Sequence, residues 1–552
     1  MKRISIASLV TVLGCAWVAS QAMAQQGGAA QPQSLEDVSA RLQQQDQQIQ
    51  QLQAQLSSMQ QQGATTTPAA YAPPGAAPAA PADPPAPAEV GSDMSLKARF
   101  YNGAGLMFES PNKDFTLHAG FWAQWDNVSW NQNALNNAKT TGNIGYLNDG
   151  DYWRRIRPFV EGTFFETCEY RFNLALENDQ FSTTGLDEFF IGIHSLPVLG
   201  TVRVGHVKNC IGLEGDMASS SRCMTFMERS SYSQAIELNQ NFVNGLWFGN
   251  TACDDRFFYS GVVFHPDDGS SGDFMGTGQY GWQARITGLP IYQDEGRELL
   301  HLGLSGGWRN GTNAIKGGGP GTPNVVSLGA GPEMKDDDPA GSPGFISGGT
   351  AQYLPYANSP KLVNTGNIYC DQEWLLGTEL LYIRGPFSFQ AEYGWNFLNN
   401  AQLTLTSGQP SGPVENYVFN GGYLQVSYML TGENRAYDKK FATLSRYYLG
   451  SQGPYENAFL VRDADGGFCA GHGAVELACR YSYTDLNSGL GTTAAHTYVN
   501  GGEMQGVGLA LNWYLNTNLT IMTDWNYDYR YNDGANAPGS TNGLGSEVQL
   551  SF

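Results

Sequence analysis

The residue types that most often carry catalysis or hold metals occur in this chain, but their spacing matches no reaction centre. Its 7 histidines are scattered, and no His-Glu-x-x-His segment or phosphate-binding loop occurs. Asp524 and Asp528 are the most suggestive pair of carboxylates, yet alternation along a strand explains their spacing as pore lining. The sequence therefore predicts no enzyme, no cofactor and no metal site.

The cysteines are equally uninformative about chemistry. No Cys-x-x-Cys motif is present, which disfavours a redox or zinc role. In an oxidising compartment Cys210 with Cys223, or Cys469 with Cys479, could each close a short loop. Spacing alone does not decide the connectivity.

The bulk composition indicates strands that cross a membrane. Charged residues make up only 15% of the 552 residues, while 12% are aromatic and 68 are glycine. A typical soluble domain has roughly 25% charged residues. No run of about 18 apolar residues follows the amino-terminal segment, which excludes helical spans. A closed barrel is the other structure that pairs every backbone polar group in lipid.

The net charge limits the possible partners. A formal charge of −21 argues against binding to nucleic acid, which needs clustered lysine and arginine. It does not exclude an anion pore, because selectivity depends on the few charges at the narrowest point.

Alternating apolar and polar residues recur from about residue 115 onward, as expected for lipid-facing and lumen-facing positions. Clear examples are residues 170–177, 387–395 and 424–430. Residues 507–515 and 521–529 form the best hairpin, and the last alternating segment ends at Phe552. We expect an all-β fold: a transmembrane antiparallel barrel of about 16 strands. A soluble β-sandwich is the weaker alternative, because it would rarely combine so many aromatics with so few charges.

The amino-terminal region predicts export and a tether. Residues 1–24 have the pattern of a signal peptide cleaved after Ala24, with lipidation of Cys15 as the weaker alternative. Residues 34–62 carry a heptad seam and predict a short coiled coil, and residues 63–93 form a Pro/Ala-rich linker. The barrel domain is then residues 94–552.

Several blocks occur in a specific order along the barrel. They are Trp153-Arg154-Arg155-Ile156-Arg157, Glu169-Tyr170-Arg171-Phe172, Val202-Arg203-Val204-Gly205-His206-Val207-Lys208, Thr225-Phe226-Met227-Glu228-Arg229, Gly385-Pro386-Phe387-Ser388-Phe389, and Leu511-Asn512-Trp513-Tyr514. Taken together, the chain from about residue 115 to 552 resembles the phosphate-selective porin family of O and P type.

The resemblance implies a trimeric porin of 16 strands whose third loop folds into the lumen and presents basic side chains to anions. Residues 206–229 would be that loop with its flanks. The candidate anion contacts are Lys208, Arg222, Arg229 and Arg203. A structural ion pair is the alternative role of each arginine, above all of Arg229 beside Glu228. Glu214 and Asp216, inside the same loop, weigh against phosphate selectivity.

The expected function is passive diffusion of small solutes, in particular anions such as phosphate, through the outer membrane. The expected partners are these anions, outer-membrane lipid, two further copies in a homotrimer, and the cell wall through the periplasmic coiled coil. The alternative is a structural or adhesive envelope protein, with a plugged barrel as anchor and the coiled coil as tether.

Overall fold

The computed structural model describes most of the chain beyond the linker. The described residues are 89–101, 105–133, 147, 149–176, 185–216, 223–237, 242–265, 280–310, 312–313, 324–334, 361–406, 409–445, 458–462, 467–491, 493–531 and 538–552. The signal peptide, the coiled coil and nearly all of the linker lie outside the described residues, so their assignments stay predictions.

Long antiparallel strands form the barrel, and the described residues contain 16 of them. In chain order β1 to β16 are Phe115–Gln132, Gly150–Phe164, Cys168–Ala175, Gly185–Leu196, Gly200–Lys208, Phe242–Ala252, Phe257–His265, Gly281–Gln293, Glu298–Asn310, Ile368–Arg384, Phe387–Gln402, Glu415–Met429, Ala474–Gly489, Tyr498–Tyr514, Leu519–Arg530 and Gly539–Ser551. Each pairs with its chain neighbours. The barrel closes because β16 also pairs with β1, from Thr541 opposite Gln132 to Ser551 opposite Trp122.

Burial follows the alternation of each strand. On β13 Glu476, Ala478 and Arg480 are buried, whereas Leu477 and Tyr481 are exposed. The polar set faces the lumen and the apolar set faces outward, which is the arrangement that a lipid bilayer requires. The all-β class, the barrel and the 16 strands expected from the sequence are confirmed.

The two ends of the barrel differ in the length of their connections. Short turns such as 165–167, 197–199 and 385–386 lie at one end, which in outer-membrane barrels is the periplasmic end. The opposite end carries the third external loop, residues 209–241, and the fifth, residues 311–367. One long connection departs from this rule: residues 430–473, here called the periplasmic segment, join β12 to β13 at the short-turn end.

A hairpin precedes the barrel and completes its seam. Its strands are Lys97–Tyr101 and Gly105–Glu109, and the second pairs with β1 below the point where Phe552 ends the last strand. The Phe552 N–H donates to the Phe121 carbonyl at 2.9 Å. The Phe552 ring lies 6.0 Å from that of Phe100. The hairpin thus occupies the edge of β1 that a longer β16 would cover.

The α-helices of the described residues are short and lie in the third external loop: α1 is Leu213–Asp216 and α2 is Ser231–Ala235. Among the described residues, no helix is long and apolar enough to span a membrane.

Candidate functional site

The third external loop lies inside the barrel. The Met227 N–H donates to Asp524 Oδ2 on β15 at 2.7 Å. The Thr225 carbonyl accepts a hydrogen bond from Asn512 Nδ2 on β14 at 2.8 Å. Both wall residues are buried on strands far along the wall from β5 and β6, so the loop crosses the lumen.

Glu392 anchors the beginning of this loop. Its carboxylate, on β11, accepts hydrogen bonds from the backbone N–H groups of Leu213 and Glu214, the second at 2.9 Å. The Tyr423 hydroxyl on β12 donates to the same carboxylate at 2.5 Å. Charge-assisted bonds of this kind are stronger than neutral ones, so a single carboxylate ties α1 to the wall.

Tyr232 anchors the end of the loop. Helix α2 begins where the Ser230 hydroxyl accepts a hydrogen bond from the Ser233 N–H at 3.2 Å. Its Tyr232 ring is fully buried against the wall beside three glycines, Gly377, Gly394 and Gly421. A side chain at these wall positions would occupy the space that the ring needs.

The fifth external loop also enters the lumen. Its Glu333 accepts hydrogen bonds from the Ser231 N–H at 2.6 Å and from Arg480 Nε at 3.0 Å. The Met334 sulfur lies against Gly545 of β16, where an added Cβ would be only 2.8 Å away. The two external loops therefore brace each other inside the barrel.

The described residues of the periplasmic segment enter the lumen from the other end. Arg435 of this segment forms a bidentate pair with Glu476 on β13: its Nε donates to Oε1 at 2.8 Å and its Nη2 to Oε2 at 2.7 Å. Arg435 also donates to the Cys223 carbonyl of the third loop at 2.9 Å. Tyr437 lies 2.7 Å from His301 Nδ1 on β9. This segment thus contacts β9, β13 and the third loop.

These insertions leave a cavity of about 440 Å³ against β1 to β5. Its charged wall residues are His118, Glu161, Glu169, Arg171, Glu188 and Arg203. The other side is formed by Cys223 of the third loop and by Asp438, Phe441, Thr443, Leu444 and Ser445 of the periplasmic segment. A solute in this cavity could contact both carboxylates and guanidinium groups.

Arg203 is held in one orientation at this cavity. Its Nε donates to Glu169 at 2.6 Å. The rings of Phe190, Trp247 and Phe441 lie 4.5, 4.9 and 5.3 Å from the guanidinium carbon. Such contacts are attractive because the ring faces carry negative charge density. The Nη1 and Nη2 donors have no hydrogen-bond partner among the described residues, and the Arg203 side chain is 19% exposed.

The remaining candidate residues lie elsewhere. Lys208 is buried, and strand alternation puts it on the same face of β5 as Val204, opposite to Arg203. Arg229 is buried inside the third loop, where its Nε donates to the Glu214 carbonyl at 3.1 Å. Arg222 lies outside the described residues. Of the described candidates, Arg203 alone lines the cavity.

Burial controls the protonation of groups in the third loop. It raises the pKa of Glu237 well above the ordinary value, and the nearby Glu392 carboxylate acts in the same direction. Burial also raises the pKa of Glu214, against the opposing effect of Arg480. It lowers the pKa of Arg229. The docked loop thus favours the neutral forms of Glu214 and Glu237.

The wall arginines on the far side of the barrel are neutralised. Arg285 forms a bidentate pair with Glu379 at 2.8 and 2.9 Å and donates to the Ala442 carbonyl at 2.8 Å. Arg309 pairs with Glu373. Arg285 thus links the wall to the periplasmic segment, whereas the Arg309 pair joins two neighbouring wall strands.

No metal or disulfide chemistry is found in the described part of the chain. No cluster of His, Cys, Asp and Glu there could hold a metal ion. Cys210, Cys223 and Cys479 are free thiols, so neither of the two possible loop-closing pairs has formed.

Comparison with known proteins identifies the architecture. The sequence model of the family described as "Phosphate-selective porin O and P" matches residues 127–552. The chain belongs to this family. Porins of this family are channel proteins.

Individual relatives of this porin are distant. Porin O of Pseudomonas aeruginosa is 24% identical over 353 residues, which cover 63% of this chain and 70% of the relative. An uncharacterized protein of Caulobacter vibrioides is 25% identical over 356 residues, 62% of this chain and only 57% of its own length. Among solved structures, the outer membrane channel DcaP of Acinetobacter baumannii is 10% identical with a TM-score of 0.43, covering 81% of this chain and 99% of DcaP. An anion-selective porin from Comamonas acidovorans is 8% identical with a TM-score of 0.43, covering 79% of this chain and 100% of that one.

Sequence reasoning missed two of the three lumen insertions of this porin. The alternating pattern predicts no lumen contact for the fifth loop or for the periplasmic segment. Glycines at lumen-facing strand positions were the available signal: Gly377, Gly394 and Gly421 receive Tyr232, and Gly545 receives Met334. A strand glycine often marks a place where another part of the chain approaches closely.

Proposed function

We propose that this porin forms a passive pore for small hydrophilic solutes, with small anions such as phosphate as its preferred cargo. Membership in the family and the similarity to Porin O support the proposal. The polar inner face of the barrel and the cavity beside β1 to β5 are consistent with it.

The observation that carries the anion preference is the environment of Arg203. Glu169 accepts one of its hydrogen bonds, three aromatic rings lie against its guanidinium, and its Nη1 and Nη2 donors have no hydrogen-bond partner among the described residues. An anion that leaves water needs such donors to replace its hydration. A guanidinium that is already fixed loses less conformational entropy when the anion binds. Arg229 is a second candidate, because its buried Nη2 has no hydrogen-bond partner in the described part of the chain.

The test is the reversal potential of the purified porin in a planar bilayer under a potassium chloride gradient, followed by potassium phosphate. Arg203→Ala should lower the anion-to-cation permeability ratio by roughly tenfold, the equivalent of about 1.4 kcal/mol from one charge-assisted contact. Arg203→Lys should retain part of the ratio. Arg99→Ala is the matched control, since this exposed arginine of the hairpin does not line the cavity. An Arg203→Ala ratio equal to that of the control would reject Arg203 as an anion contact.

We also propose assembly as a homotrimer and a tethering role for residues 25–93 in the periplasm. Cross-linking of intact outer membranes should yield a trimer. Deletion of residues 25–93 distinguishes a pore from an anchor: a pore keeps conducting, whereas an adhesive protein loses attachment to the cell wall.

A further inference from the structure

The cavity beside Arg203 is larger than a bare inorganic anion requires. Its volume of about 440 Å³ lies in the range of sites that enclose small organic ligands, roughly 300–1,000 Å³. Inorganic phosphate would use only the Arg203 corner of this space. The residues that line the rest of the cavity therefore influence which anions the pore favours.

The surface next to Arg203 is apolar. Phe190 on the wall and Phe441 on the periplasmic segment flank its guanidinium on two sides, and Leu444 continues this surface. A carbon frame bound to Arg203 through its anionic group would cover these side chains. Removal of such apolar area from water favours binding.

The remaining wall is acidic. Among the described lining residues there are four carboxylates, Glu161, Glu169, Glu188 and Asp438, and two guanidiniums, Arg171 and Arg203. Arg171 forms ion pairs with two of the carboxylates, at 2.7 Å from Glu161 and 2.9 Å from Glu188. Among the described residues Asp438 forms no ion pair, and the one hydrogen bond it accepts there comes from the Lys440 N–H to Oδ1 at 2.8 Å. Its second oxygen is therefore an available acceptor.

We infer that this cavity favours small organic anions whose carbon frame also carries hydrogen-bond donors, such as hydroxylated carboxylates. The anionic group binds the Nη donors of Arg203, the frame covers Phe190 and Phe441, and the hydroxyl groups donate to Asp438. An anion without donors would displace water from Asp438 and leave this carboxylate without a hydrogen bond in its place. The loss of that bond costs free energy. The inference rests on the proposed function, because it names the class of anion carried by the same pore.

The experiment compares two anions of equal carbon number, gluconate and hexanoate, with phosphate. Relative permeabilities are taken from reversal potentials of the full-length porin in a planar bilayer. The expected result is a gluconate permeability several-fold above that of hexanoate. Asp438→Asn, which keeps the Oδ1 acceptor for Lys440, should bring the ratio of gluconate to hexanoate permeability close to one. Asp371→Asn, at an exposed position of β10 outside the cavity lining, is the control and should leave this ratio unchanged.

The outcomes separate the two proposals. Anion selectivity with equal gluconate and hexanoate permeabilities, or with a gluconate preference untouched by Asp438→Asn, would overturn the inference and leave the anion pore standing. A wild-type reversal potential without anion preference would instead overturn the proposed function.

Discussion

The carboxylate of Glu392, on β11, accepts hydrogen bonds from the backbone N–H groups of Leu213 and Glu214 at the start of the third external loop. With the Tyr423 hydroxyl it forms one buried junction between wall and loop. Because the loop crosses the lumen, this junction helps to set the size of the pore.

Replacement of Glu392 by Ala should release the loop. Three buried donors lose their acceptor, and an unpaired buried donor costs roughly 1–3 kcal/mol. Single-channel recordings should show a larger and noisier conductance. Glu392→Gln keeps one acceptor oxygen and should be intermediate, and Glu415→Ala, at an exposed position of β12, should resemble wild type. Unchanged conductance in Glu392→Ala would mean that other contacts alone hold the loop.

The strands of this porin were predictable from sequence because their signal is local. Alternation over a few residues determines which face of a strand meets lipid, as at Leu477 and Tyr481. The lumen insertions depend on pairs such as Met227 and Asp524, which are 297 residues apart. Such pairs have no local pattern, and the role of Arg203 likewise depends on Phe441 from a segment that enters at the far end.

Gly394 provides a test of the packing at the end of the loop. A methyl group there would collide with the Tyr232 hydroxyl and with the Leu376 carbonyl, the latter at 2.8 Å. Gly394→Ala should lower the free energy of unfolding by about 1–3 kcal/mol, the usual cost of overpacking. Tyr232→Phe in the same chain should recover part of the loss, as measured by denaturant unfolding in detergent.

The control for Gly394 is Gly288→Ala, because an added Cβ at Gly288 meets nothing within 4 Å. If both alanine variants lose equal stability, the effect arises from strand propensity and not from Tyr232.

The protonation of Glu237 predicts a pH dependence of the docked loop. Burial, then the Glu392 carboxylate, raises the pKa of Glu237 in the docked state. Below the ordinary pKa of a glutamic acid, both docked and released loops are protonated and the docking stability is complete. As pH rises toward the raised pKa, the released loop loses its proton first, so docking weakens.

Conductance noise should therefore increase from acid to alkaline pH in wild type. Glu237→Gln imitates the protonated form and should flatten this profile. Glu295→Gln, in an exposed periplasmic turn, should leave it intact. A Glu237→Gln profile as steep as wild type would assign the titration to another group, such as Glu214.

Gly105 of the hairpin that precedes the barrel should contribute to stability. This residue has a φ of +96°, and an added Cβ would lie 2.7 Å from the carbonyl carbon of Phe552. Gly105→Ala should displace the hairpin from β1 and expose an unpaired strand edge.

Gly91 is a matched control, because its φ is also positive, at +79°, while an added Cβ there meets nothing within 4 Å. Both variants carry the backbone cost of alanine at positive φ, about 1 kcal/mol. Only Gly105→Ala adds the collision, so its thermal unfolding temperature should be the lower of the two. Equal temperatures would show that the barrel closes without help from the hairpin.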